Sequence, residues 1–117
     1  MAIPPETVQK LRRDDFMHQC CCTGKSHVEW HHNLQFGRKK VEEWWAILPL
    51  HPDVHANARN AELKSILDWA MLNRAPEGEL DKYSKVIDYK DYKRHLNDLY
   101  GEFSPRNLRT VYENHFN

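Results

Sequence analysis

Residues 28–57 read VEWHHNLQFGRKKVEEWWAILPLHPDVHAN, and the rest of the chain is organised around this stretch. It holds four of the eight histidines. His31 and His32 are a tandem pair ending a short alternating run. Val28 and Trp30 fall on one face of that run, Glu29 and His31 on the other, which predicts a strand over 28–32. Strict alternation sends His31 and His32 to opposite faces, so a shared site needs a bulge or a strand end at Asn33. Residues 44–50, WWAILPL, read as a second buried strand that closes a hairpin onto the first. Between them, residues 34–43 read as a loop with a basic tip, Arg38-Lys39-Lys40. Pro52 then opens a helix, with His51 and His55 four residues apart. An i, i+4 pair on a helix points both rings the same way.

Outward from this stretch the pattern becomes helical. Residues 4–13 predict a short helix with Pro5 in its first turn and only Val8 and Leu11 as apolar stripe. Residues 18–27, HQCCCTGKSH, read as a tight turn around Gly24. Residues 60–74 give the clearest helix: Asn60 caps it, and Leu63, Ile66, Leu67, Ala70 and Met71 form a core-facing stripe. A linker follows at 75–79. A helix over 88–100 presents Tyr89, Tyr92, Leu96 and Leu99 on one side and stops at Gly101. Ser104-Pro105 starts a last helix, with Leu108, Val111, Tyr112, His115 and Phe116 as its stripe. The expected fold class is α+β, mostly helical. One domain spans 1–117, with a core at about 18–60 and a C-terminal helical region at 61–117.

Composition narrows the options. Seventeen basic and 17 acidic residues cancel, which argues against wholesale electrostatic attraction to nucleic acid. No apolar run approaches the roughly 20 residues of a membrane helix, and the N-terminus lacks a secretory pattern. The expected location is the cytoplasm, with no membrane partner. Cys20, Cys21 and Cys22 are consecutive, an odd cluster that is no disulfide framework. In a reducing compartment they are thiols or metal ligands.

Neutral imidazole serves both as metal ligand and as general base. His51 and His55 from one side and His31 from the strand can hold one divalent cation, leaving His32 free to take a proton from water. Histidine donors suit Zn²⁺, Mn²⁺ or Ni²⁺ better than Mg²⁺, although all four stay open.

VEWHH followed by ILPLHPDVH resembles the HNH, or His-Me finger, endonuclease superfamily, whose core is a β-hairpin and a helix around one metal. Two branches are similar: the phage recombination-enhancement nucleases, through V-E-x-H-H and the L-P-L helix start, and the colicin DNases, through a tandem His and H-x-x-x-H. The resemblance covers about residues 18–60. It implies a ββα-metal core, His31 and His55 as metal ligands and His32 as general base. His51 is the third ligand in the colicin-like alignment and a structural-zinc position in the other. It further implies a metal-dependent endonuclease acting on DNA, in a phage or mobile-element setting.

The chain departs from the pattern twice. Thr23 stands where the second Cys of C-x-x-C is expected, so the structural zinc that the resemblance implies would draw on some of Cys20, Cys21, Cys22, His18 and His51, the alternative being small buried thiols; and Glu43-Trp44-Trp45-Ala46 lacks the middle Asn that steadies the base. Asn33 is a substitute for that Asn, and Glu29 is either a partner that orients a ligand histidine or half of a salt bridge. Arg38, Lys39, Lys40 and Arg59 are the candidate phosphate contacts, with Trp44 and Trp45 as stacking groups or core. With His32 as base, cleavage is expected to fade as pH falls through roughly 6.5, the unperturbed histidine value. Two rivals remain: a non-catalytic, zinc-stabilised nucleic-acid-binding module, and an interaction domain that forms oligomers through its C-terminal helices.

Overall fold

A computed structural model describes residues 3–116. Its organising element is the helix α3, Ala61–Arg74. Asn60 caps it as expected, accepting from the backbone N–H groups of Glu62 and Leu63 at 3.0 and 3.1 Å. The expected stripe is buried, and so are Asp68, Trp69 and Leu72. α3 touches the segment before the second long strand, that strand itself, and both later helices. A helix covered on nearly every side loses the one-sided pattern that a surface helix shows. Trp69 sits at its centre, with Tyr100 and Phe103 ring centroids 5.4 and 5.3 Å away. Its indole N–H is satisfied by Asn97 Oδ1 and the Gly101 carbonyl, as a buried indole requires.

The strands are short. β1, Glu29–His32, pairs antiparallel with β4, Ile47–Leu50, in the register His31 opposite Leu48 and His32 opposite Ile47. Leu48 and Leu50 enter the main core, while Ile47 joins Leu11 and Met17 in a smaller cluster on the other face. That cluster seats α1, Pro5–Arg13. Arg74, at the end of α3, fastens it further. Its guanidinium lies 4.0 Å from the Phe16 ring and pairs with Asp14 at 2.8 Å.

Three expectations need correction. Trp44–Ala46 is a 3₁₀ turn, and the strand begins only at Ile47; the Ala46 N–H is taken by the Glu43 carbonyl. The supposed loop at 34–43 contains a small hairpin, β2 Gln35–Phe36 with β3 Lys39–Lys40. Gly37 and Arg38 both have positive φ, 60° and 69°, as a two-residue type I′ turn demands. The basic tip is therefore a twisted ribbon with Arg38 at its turn. Finally, Leu99 is 59% exposed. In α4, Tyr89–Tyr100, the inward position is taken by Tyr100, which packs on Trp69.

The remaining elements follow the expected breaks. α2, Pro52–His55, is a single turn that contacts β1 and β4. A 3₁₀ turn, Glu79–Tyr83, occupies the end of the expected linker. α5, Pro105–Phe116, starts after Ser104, whose hydroxyl accepts from the Asn107 N–H. The cysteine turn is tied to α5. Gly24 has φ +78°, and a Cβ there would lie 3.2 Å from the Arg109 guanidinium. No helix among the described residues is long and apolar enough to cross a membrane.

Candidate active site

β1 ends one residue before Asn33, whose N–H still bonds to the Ala46 carbonyl. This strand end lets both tandem histidines line one cleft of about 900 Å³, despite their alternation along β1. The cleft lies between β1 and the helices α3 and α4. Its charged lining is mixed, with Arg59 and Lys64 against Asp68, Asp88 and Asp91, and Asn33, Tyr92 and His95 are among its other polar groups.

His31 and His55 come together from strand and helix. Their ring centroids are 5.1 Å apart in an edge-to-face arrangement. Burial lowers the pKa of His31 to about 4, and the neighbouring His55 adds to the effect. A neutral imidazole keeps a lone pair for a cation.

Each of these rings has one nitrogen held by an oxygen acceptor. His55 Nδ1–H donates to Glu29 Oε1 at 2.8 Å. His31 Nε2–H donates to Asn33 Oδ1 at 3.1 Å. His32 Nε2–H donates to Glu42 Oε2 at 3.0 Å. Such partners fix tautomer and ring orientation in metal and acid–base sites. Glu29 thus contacts a ligand candidate, one of its two expected roles. Asn33 supports His31 rather than His32, and Glu42 takes the supporting position beside His32. Nothing in the sequence singles out Glu42, because its approach depends on the 34–43 hairpin folding back.

His51 is arranged differently. It precedes α2 with extended backbone, φ −60° and ψ 145°, and its Nδ1 accepts from the Asp53 N–H at 3.2 Å. The i, i+4 premise therefore fails: only His55 is on the helix. The His51 ring lies 6.1 Å from His27, a residue that the sequence reading passed over. Among the described residues, no three His, Cys, Asp or Glu side chains are gathered as a ready-made cation cage.

The cysteine turn is core. Cys20, Cys21 and Cys22 are all buried. A hydrogen bond from Cys22 lowers the Cys20 pKa to about 4, overcoming the opposing effect of burial, with the His51 backbone N–H adding to it. The Cys22 thiol is pushed up, first by its bonds with Cys20 and Cys21 and then by burial. His18 is engaged elsewhere: its ring bonds to the Arg12 carbonyl at 2.8 Å.

Of the basic candidates, Arg59 lines the cleft, whereas Arg38, Lys39 and Lys40 are exposed on the hairpin outside it. Trp45 is fully buried, and Trp44 packs under Lys10, 4.4 Å from its ring. Lys64, Asp68 and Tyr92 were invisible as site residues in the sequence, where they read as solvated or core positions of helices. Comparison with family models, characterised proteins and solved structures finds no match for the chain.

Proposed function

We propose that the protein is a metal-dependent endonuclease that hydrolyses phosphodiester bonds in DNA, with a ββα-metal core formed by β1, β4 and α2. The observation that carries this reading is the convergence of the His31 and His55 rings, with centroids 5.1 Å apart, beside the cleft that His31 and His32 line, where His32 has its own carboxylate partner. Imidazole donors suit a divalent transition-metal cation. His55 retains Nε2 and His31 retains Nδ1 as free nitrogens once their other nitrogens are engaged.

When bound there, such an ion supplies Lewis acidity to the scissile phosphate and charge stabilisation to the leaving oxygen. His32 removes a proton from the attacking water through its free Nδ1, and Glu42 steadies the imidazolium that results. Arg59 brings positive charge to the cleft wall, where a phosphate backbone would be held. The Arg38-Lys39-Lys40 ribbon adds a second, more distant backbone contact. His51 serves the fold as the cap of α2, and Cys20, Cys21 and Cys22 serve it as buried side chains of the core.

The test is a plasmid-nicking assay with Mg²⁺, Mn²⁺, Zn²⁺ or Ni²⁺ on the wild type and on His32→Ala. Cleavage by the wild type, lost in the variant while cation binding persists, supports the reading. Cation binding and DNA binding without cleavage under any of the four ions would turn the protein into a binding module.

A further inference from the structure

The helices beyond residue 60 reach the histidine cleft through one buried chain of hydrogen bonds. Asp68, on α3, is 8% exposed, and Asn33 is 4% exposed. Asp68 Oδ1 accepts from the Asn33 amide nitrogen at 3.0 Å and from the Lys64 ammonium. Asp68 Oδ2 accepts from the Tyr92 hydroxyl of α4 at 2.9 Å. Lys64 also donates to the Asn33 carbonyl at 2.9 Å, so the backbone at this point is held as well as the side chain.

An amide can turn either its oxygen or its nitrogen toward a neighbouring ring. Here the choice is forced. A carboxylate has no proton to give, so the Asn33 atom that faces Asp68 is the nitrogen. The Asn33 oxygen must then face His31, 3.1 Å from Nε2. An oxygen that only accepts requires a proton on that nitrogen. A neutral imidazole carries one N–H, so the bare nitrogen of His31 is Nδ1. With the wrong tautomer, the buried Asn33 oxygen and a partly buried ring nitrogen would face each other with no proton between them, at the cost of an unmade hydrogen bond.

We propose that Asn33 is a positioning residue that holds His31 in the Nε2–H tautomer, and that Asp68, braced by Lys64 and Tyr92, sets the orientation of Asn33. The C-terminal helices therefore do more than cover the core: they select which atom of His31 is offered to a ligand. The functional consequence, a cation taken by Nδ1 of His31, rests on the nuclease reading. The tautomer itself does not.

The experiment is long-range ¹⁵N–¹H correlation spectroscopy on full-length, histidine-labelled protein without metal, with Zn²⁺ titrated afterwards. The wild type is expected to show His31 protonated at Nε2 and bare at Nδ1. Asp68→Asn can donate to the Asn33 amide and so permits it to flip. In that variant the His31 signals are expected to move toward the other tautomer or to average, and Zn²⁺ affinity to fall about 10- to 100-fold, the usual range for a lost ligand-orienting partner. Leu72→Ala, a core truncation on the same helix outside the chain of bonds, must destabilise without moving the tautomer.

Protonation at Nδ1 in the wild type overturns the proposal, and needs no variant to do so. So does an Asp68→Asn protein whose His31 spectrum is unchanged. If the wild type shows the Nε2–H form yet binds no Zn²⁺, the positioning role stands and the nuclease reading falls.

Discussion

α3 and the β1–β4–α2 unit lie against each other but solve different problems. α3 is 14 residues long, capped by Asn60, and buried through most of its circumference. The strands and helix of the other unit are each four residues long, and their histidines remain only partly buried. A long buried helix accumulates apolar area and so carries stability. Three short elements can barely stand alone, yet their ends bring side chains from distant positions to one point. The long buried helix and the cluster of histidines thus lie on opposite sides of the Asn33–Asp68 contact.

The sharpest way to break this division is to remove the proposed base. His32→Ala is expected to lower nicking about 100- to 10,000-fold, the usual share of a general base, with the melting temperature little changed. A large loss of stability instead would make His32 a structural group. The complementary test is Trp69→Ala, expected to cost about 3–5 kcal/mol by chemical denaturation, because it empties the space between Tyr100 and Phe103. Retained full stability would remove α3 from the centre of the fold.

A smaller effect is expected from Glu29→Gln. It weakens the hold on His55 Nδ1 and should reduce cation affinity about tenfold by calorimetry, while leaving the unfolding midpoint of the metal-free protein nearly unchanged.

The smallest effect sharpens the contact between the two sides. Burial, and then the Asp68 charge, hold the Tyr92 hydroxyl above the ordinary tyrosine range. The native state keeps a proton that the unfolded chain releases, so this contribution is intact below pH 10 and declines as pH rises past it. Tyr92→Phe should be less stable than wild type near neutrality, by about 1 kcal/mol for the lost hydrogen bond. The gap should narrow above pH 10 in urea melts. A constant gap across that range would mean that the hydroxyl does not carry the linkage. Tyr83, Tyr89 and Tyr112 are raised too, so some alkaline slope survives in the variant.

How much of this was legible depended on whether the signal was local. The Asn60 cap, the Pro52 and Pro105 helix starts and the Gly101 stop are written within a few residues and were read from them. β1 was also readable, because Trp30 and Val28 alternate with Glu29 and His31. Leu99 misled because its spacing from Tyr92 and Leu96 suits the same stripe as Tyr100, and only packing against Trp69 decides between them. The encounter of His31 with His55 was expected from their residue types and separation. The position of His51 was not, since a histidine before a proline can as easily cap a helix as belong to it. Glu42, Lys64, Asp68 and Tyr92 reach the cleft across 10 or more residues of chain, and no periodicity records such meetings.

The ribbon between the two long strands holds Arg38 at φ 69°, a conformation that costs a side-chain-bearing residue about 1–2 kcal/mol. Arg38→Gly should therefore tighten the ribbon while stripping a cation from its tip. An arginine kept in so awkward a posture sets a positive charge at the turn, which glycine, the residue that adopts this backbone freely, could not supply.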